Sequence, residues 1–249
     1  MVLKLFSGDK VYSPNDNIAE YTVIKVIGEG RYGICYLVCK DGKKFILKQL
    51  KNRMMRKVRI DTIFEEQILG SIEHPCIPRL ITRISRGEFN GYILEYKEGK
   101  TFEEIIYQDK HIFDREEIYS IGLQLIQILR YLHDKGVVHR DIRVPNTLYH
   151  KGEICLVDFG LARWIDEDTY KADVDFSFLG DFLLHLYYTS YKIINCKKGP
   201  WFDELKLTEM ETLIVKRLLG IENRYSTVDE IEIDFIMLSL SSDRLGTRT

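Results

Sequence analysis

The chain has 249 residues, enough for one large domain or two modest ones with sizeable cores. At 45% hydrophobic and 30% charged it has the composition of a soluble globular protein, and its formal net charge of −2 gives no general argument for nucleic acid or an anionic membrane. The cysteines (Cys35, Cys39, Cys76, Cys155, Cys196) are odd in number and fit no zinc spacing, so they read as buried small residues in a reducing cytoplasm rather than a disulfide framework.

The opening MVLKLFSGDK lacks the apolar core and cleavage site of a signal peptide. From there to about residue 96 the pattern predicts strands: YTVIKVIG, ICYLVC, KFILKQL and GYILEY are short β-branched and aromatic runs parted by glycine and charge. GEGRYG (Gly28, Gly30, Gly33) joins two of them. It reads either as a hairpin turn needing positive φ or as a flap whose backbone lies over phosphates, since a strand follows it rather than the helix of a dinucleotide site. Lys48, in FILKQL, is either a solvent-facing lysine or a fixed charge turned inward. A helix is predicted over about Asp61 to Ser71, ending before His74-Pro75, and it offers Lys48 two carboxylates, Glu65 and its competitor Glu66. The basic run Lys51 to Arg59 is a solvated loop or a docking site for an acidic protein or RNA.

Beyond about Lys97 the periodicity becomes helical. Asp114 and Glu117 form a capping box with Phe113 and Ile118 as its staple, followed by an apolar stripe from Ile118 to Leu132 and a stop at Gly136. HRDIRVPN (His139–Asn146) is a Pro-containing loop with Asp141 and Asn146 five residues apart; Asp158 follows after a strand pair around Lys151-Gly152. These residues supply one carboxylate to orient a hydroxyl, and an amide with a second carboxylate to hold a hard cation through oxygen. Further helices are predicted at about 175–191, 208–219 and 227–240, with a loose tail SSDRLGTRT. FSFLGDFLLHLYY, interrupted by Asp181 and His185, reads as a buried helix and not as a membrane span. Strands first and helices after predict an α+β chain of two lobes, about 1–96 and 97–249, with a cleft near residue 97.

The order glycine loop, strand lysine, helix glutamate, HRD-x-x-x-x-N and DFG resembles the protein kinase family, closely from about Tyr21 to Gly180 and more weakly to about Glu230. The chain looks like a short, soluble bacterial member of the eukaryotic-like Ser/Thr type. The resemblance implies a single two-lobed kinase domain using ATP and Mg2+ on a hydroxyl-bearing acceptor, most naturally a protein. It implies that Gly28, Gly30 and Gly33 cover the phosphates, and that Lys48 grips them and pairs with Glu65. Cys35 and Ile46 then lie beside adenine, with Leu94 as gatekeeper and Glu95 to Lys97, including Tyr96, as hinge. Asp141 accepts the acceptor's proton, Arg143 stands where lysine is usual, and Asn146 and Asp158 hold magnesium. Asp175, of a D-x-x-x-x-G helix start ending at Gly180, anchors the catalytic loop.

One departure is large. Fourteen residues, Leu161 to Val174, separate DFG from Asp175, a reach of at most about 45–50 Å. They contain no APE motif, and Arg224 resembles the arginine that normally pairs with its glutamate. The shortening raises two other readings: an ATPase or small-molecule kinase, as in kinase-like proteins associated with tRNA modification, and a nucleotide-binding scaffold without turnover. Arg140 stands where an activation-segment phosphate is often bound. Asp166, Glu167 and Asp168 are expected either to substitute for that phosphate, with Thr169 or Tyr170 phosphorylated as the alternative, or to form a solvated acidic loop.

Overall fold

A computed structural model describes residues 10–30, 33–51, 61–86, 89–166, 168–191 and 199–246. Cys196, Glu167 and the basic run after Lys51 lie outside the described residues. The chain divides into two compact units: residues up to Lys97 together with Phe159–Leu161, and Glu98–Asp158 with Ala162 onward.

The first unit is a six-stranded antiparallel sheet of order β1-β2-β3-β4-β6-β5. Its strands are β1 (Asn17–Ile18), β2 (Tyr21–Glu29), β3 (Gly33–Lys40), β4 (Lys43–Leu50), β5 (Leu80–Arg86) and β6 (Phe89–Glu95). Alternation along the strands sorts side chains onto two faces. Ile34, Tyr36, Val38, Leu47 and Ile93 join Ile18, Tyr21, Val23, Ile84 and Phe89 in one buried apolar cluster. Of the tyrosines in that cluster, Tyr36 donates to Gln49 Oε1 at 2.8 Å. Cys35, Leu37, Ile46, Lys48, Tyr92 and Leu94 alternate with these residues and therefore share the opposite face. Helix α1 (Asp61–Ser71) carries Glu65. Strand β5, rich in charge, was not among the predicted strands.

The second unit is mainly helical. Short strands β7 (Lys100–Thr101), β9 (Thr147–His150) and β10 (Glu153–Leu156) form one sheet, and β8 (Val137–Val138) pairs with β11 (Arg163–Trp164). Helix α2 (Phe102–Tyr107), unpredicted, starts at a Thr101–Glu104 capping box. Helix α3 (Arg115–Asp134) has the expected Asp114–Glu117 box and buries Ile118, Ile121, Leu125, Ile128, Leu129 and Leu132. Gly136 follows it at φ +70°. Helix α4 (Asp173–Tyr188) begins two residues before the expected start and buries Phe176, Leu179, Phe182, Leu183 and Leu186. A one-turn helix α5 (Trp201–Glu204) precedes α6 (Glu209–Leu218), capped by Thr208. Glu211, fully buried on α6, is held by Arg115 and by the Tyr119 hydroxyl at 2.8 Å.

Helix α7 spans Val228–Gly246 and corrects the expectation of a loose tail: the helical backbone continues through SSDRLG. Its Phe235 ring meets α3 at Gly122, where an added Cβ would lie 2.4 Å from the ring, so glycine is needed for the two helices to approach. Cys35, Cys39, Cys76 and Cys155 are half-buried thiols, less buried than expected and in no disulfide. Among the described residues no helix is long and apolar enough to cross a membrane.

Candidate active site

In the first unit, strand register assembles a row of side chains. Gly28 on β2 pairs with Cys35 on β3, Cys35 with Lys48 on β4, and Lys48 with Tyr92 on β6. The neighbouring row is Leu37, Ile46 and Leu94. Lys48 is 7% exposed and Glu65 4% exposed. The lysine Nζ reaches both carboxylate oxygens, at 2.8 and 2.6 Å. Lys48 is therefore turned inward, and its partner is Glu65. Glu66, the competitor, pairs instead with Arg83 at 2.6 Å on the exposed side of α1. A buried pair of this kind requires near-ideal geometry, because desolvating two charges costs several kcal/mol each. The forked contact meets that requirement.

None of Gly28, Gly30 and Gly33 has positive φ, while β2 and β3 on either side of the loop do pair antiparallel as a hairpin. Space above Gly28 and Gly30 is open, with nothing within 4 Å of an added Cβ. Gly30 N–H donates to Gly33 O at 2.9 Å, and Lys51 Nζ donates to Gly30 O at 2.9 Å. Gly33 is required for a different reason: a Cβ there would meet Gln49 O at 2.3 Å. An uncovered backbone at the first two glycines suits the close approach of a phosphate chain. At the end of β6, Leu94 is buried, while Glu95 pairs with Arg79 at 3.3 Å and Lys97 at 3.0 Å. Lys44 Nζ lies 5.6 Å from the Tyr96 ring.

Sequence reasoning missed Tyr92. Its ring is fully buried beside Lys48, with the Glu65 carboxylate close to its hydroxyl. Burial, then the negative charge of Glu65, holds the phenol well above its usual pKa, against the opposing charge of Lys48. Tyr92 is thus a neutral wall behind the ion pair. Only strand register reveals it. Gly91, beside it, admits Lys48 O where a Cβ would clash at 2.5 Å.

In the second unit, the loop from His139 to Asn146 is held from beneath by Asp175, which is 0% exposed. One Asp175 oxygen accepts the His139 N–H at 2.8 Å and lies 3.1 Å from His133 Nε2, while the other accepts the Arg140 N–H at 2.7 Å. This anchoring lets Arg140 sit at φ +67°. His139 is itself buried, and its Nδ1 accepts the Asp141 N–H at 3.2 Å. Desolvation lowers its pKa against the attractions of Asp175, Asp158 and Asp141, so the imidazole is neutral.

Asp141, 9% exposed, sits among donors. Arg143 Nε lies 2.5 Å from Oδ1 and its Nη2 2.8 Å from Oδ2, a fork that raises the guanidinium pKa further. Asn146 Nδ2 donates to Asp141 Oδ2 at 2.7 Å and to its carbonyl at 3.0 Å. That bond fixes the amide so that Asn146 Oδ1 is the oxygen it offers a cation. Asp158 adds an exposed carboxylate from a backbone at φ +62°. Two hard oxygens, one neutral and one anionic, fit Mg2+, which keeps waters and phosphate oxygens in its shell and needs few protein ligands.

After DFG the chain takes a short course. Arg163 and Trp164 pair with Val138 and Val137, and Ile165 N–H donates to Gly136 O at 2.7 Å. Asp166 then closes a tight loop, its Oδ1 accepting N–H groups from Asp168, Thr169 and Tyr170 at 3.0, 2.5 and 2.9 Å. Those bonds, those of Tyr170 and Thr169 foremost, hold its carboxyl below the usual range. Asp166 Oδ1 thus serves its own backbone. The guanidinium carbon of Arg140 lies 4.7 Å from the centre of the Tyr170 ring. Arg224, whose usual glutamate is absent, pairs with Asp173 at the start of α4, at 3.0 Å. Gly180 packs against Leu218 and Leu219 at the α6 end.

The chain matches the protein kinase domain over residues 21–198. It is 36% identical over 225 residues to the probable serine/threonine-protein kinase YbdM of Bacillus subtilis, covering 86% of this chain and 88% of that one. It is 27% identical over 154 residues to the probable serine/threonine-protein kinase CPE1738 of Clostridium perfringens, covering 60% of this chain and 22% of that one. It is 30% identical over 149 residues to the mouse serine/threonine-protein kinase Nek1, covering 58% and 12%. The chain thus spans most of one relative and less than a quarter of the other two. With the buried Lys48–Glu65 pair and the Asp175-anchored HRD loop already in place, this match shows that the chain belongs to the protein kinase family.

Proposed function

We propose that the chain transfers the γ-phosphoryl group of ATP to serine or threonine hydroxyls of proteins, its own included, in the cytoplasm. The observation that carries the reading is the constellation around Asp141: a carboxylate fixed by Arg143 and Asn146 in a loop anchored by a buried aspartate. Asp141 orients the acceptor hydroxyl and receives its proton. Arg143, at its side, keeps a positive charge that can face the transferred group. Lys48 presents its charge to the α- and β-phosphates, with Glu65 holding it in place, and Gly28, Gly30 and Gly33 leave backbone open to the phosphate chain. Cys35, Ile46 and Leu94 supply apolar surface for adenine, and Glu95 and Tyr96 supply the adjoining hinge backbone. Asn146 and Asp158 hold magnesium, which when bound neutralises phosphate charge. Positioning and charge neutralisation then account for most of the rate.

The test is phosphoamino-acid analysis after incubation of the purified chain with labelled ATP, magnesium and a generic acceptor protein. Phosphoserine or phosphothreonine, absent in an Asp141→Ala control, is the expected result. Label confined to phosphotyrosine, or equal label in the control, contradicts it. The short segment after DFG favours a second reading, transfer to a non-protein acceptor, which predicts labelled small product and unlabelled protein.

A further inference from the structure

Helix α7 is apolar on two opposite sides. On one side Val228, Ile231, Phe235 and Leu238 are buried, with the Phe235 ring against Gly122 of α3. On the other, Ile233, Ile236, Met237 and Leu240 are 43–58% exposed. Among the described residues no other element exposes as many large apolar side chains. Their spacing of three, one and three residues puts all four on one line of the helix. Single exposed apolar residues need no explanation, but a continuous stripe marks a contact surface. A helix that is apolar all round is one enclosed on all sides. The stripe also has charged ends. Asp229, one turn before Ile233 on the same line, has a side chain 76% exposed. It shares one cation with Glu232, the Arg130 guanidinium, at 2.6 and 2.5 Å, so this end keeps a net negative charge. One turn after Leu240, on the same line of helical backbone, the sequence has Arg244, while its neighbour Asp243 stands about 100° round the helix.

We propose that the exposed face of α7 is an interface between two copies of this chain, covered by α7 of the second copy running antiparallel about a two-fold axis between Ile236 and Met237. The argument is one of spacing and charge. Read from either end, the line runs charge, apolar residue, apolar pair, apolar residue, charge, at the same intervals and with opposite signs at its two ends. Set antiparallel on its own copy, Asp229 meets Arg244, Ile233 meets Leu240 and Ile236 meets Met237. That is the self-complementarity a two-fold interface requires, in which each contact occurs twice. A parallel pair would instead set Asp229 against Asp229 and Arg244 against Arg244, and like charges would repel at both ends. Any other partner would need an apolar stripe of the same length with its charges reversed, which the chain's own helix already carries. The helix is about 28 Å long, and one such pair covers less than the roughly 1,200 Å² of a stable complex. The dimer is therefore weak and reversible.

The inference is independent of the transfer reading, and its test measures association alone. Sedimentation velocity of the purified full chain, over about 1–200 μM, should show a reversible monomer–dimer equilibrium with Kd on the order of 10 μM. Met237→Lys, which brings two like charges together at the axis, should weaken association by at least about 30-fold, and Leu240→Lys is a second variant for the same reading. Asp229→Arg and Arg244→Asp should each weaken it by about tenfold. An equimolar mixture of those two should regain the wild-type association, because each copy then meets its opposite charge at both ends. Thermal unfolding of every variant should stay within about 2 °C of wild type, so that lost association is not lost folding. A chain monomeric throughout that range overturns the proposal. So does a dimer that both lysine variants leave intact, since its interface then lies on another face. A mixture that fails to regain what each charge variant has lost overturns the antiparallel pairing.

Discussion

The loop from His139 to Asn146 and the segment from Leu161 to Val174 are both short stretches next to residues expected to act in transfer, and they are held in different ways. The loop is over-determined. Asp175 accepts two of its N–H groups, His139 accepts a third, and Asn146 and Arg143 bind its carboxylate, nearly all out of solvent. The later segment shows, among the described residues, a two-residue strand pairing, one aspartate's turn, an aromatic ring near Arg140, and an exposed ion pair of Arg224 with Asp173. Buried hydrogen bonds to charge are worth about 1.5–3 kcal/mol each, whereas exposed pairs are worth about 0–1. The difference teaches that the loop carrying Asp141 is fixed by buried bonds of its own and does not need a long segment after DFG to hold it.

The contrast is sharpened first by cutting a buried pair. Glu65→Gln leaves Lys48 charged, buried and uncompensated, and should destabilise the fold by about 3–5 kcal/mol in urea unfolding. A change below about 1 kcal/mol would mean that the pair is less enclosed than its geometry indicates. Next in size is Asp175→Ala, which strips the His139 and Arg140 amides of their acceptor. A loss of about 3 kcal/mol is expected, with Asp175→Asn recovering part of it.

Acid should weaken the loop more gently. His139 is held neutral in the fold, its pKa lowered chiefly by burial, and the half-buried His74 is shifted in the same direction. Between the lowered folded value and the unfolded value of about 6.5, the unfolded chain binds more protons, so stability rises with pH there. The contribution is fully present above about pH 6.5 and is lost as pH falls through that value towards the folded one. The urea midpoint should therefore drop on acidification from neutrality, and His139→Asn should flatten the slope. An unchanged slope would assign the effect elsewhere. The smallest effect belongs to the second region: Arg224→Ala should cost no more than about 1 kcal/mol, with thermal unfolding as the measure. A cost comparable to that of Asp175→Ala would erase the contrast drawn above.

The two regions were also unequally legible in the sequence. Asp141, Asn146 and Asp158 carry their spacing on the surface of the sequence, and the capping box at Asp114 shows its helix by local chemistry alone. Glu65 and Glu66 are adjacent residues on one helix, and local pattern cannot rank them. The structure separates them, since one faces Lys48 and the other Arg83. Tyr92 was hidden because its importance lies in the register between β4 and β6, a non-local property. The helix at Phe102 had a readable signal, the Thr101–Glu104 box, but only six residues to express it. The C-terminal helix was cut short in the reading because SSDR is polar and its apolar stripe ends there. After DFG, the three acids suggested a phosphate substitute, while Asp166 Oδ1 is taken up by the N–H groups of its own turn. Backbone demand decided that outcome, and composition does not display it.

The central claim is that the machinery of transfer is complete despite the shortened segment. The most direct test follows the fate of the γ-phosphate in one reaction, with protein-bound label and free phosphate counted together for the wild-type chain and Asp141→Ala, with an acceptor protein present. The account predicts protein-bound label that exceeds free phosphate and falls by about 10²–10⁴-fold in the variant. Free phosphate without protein label, or nucleotide binding with neither product, would contradict it.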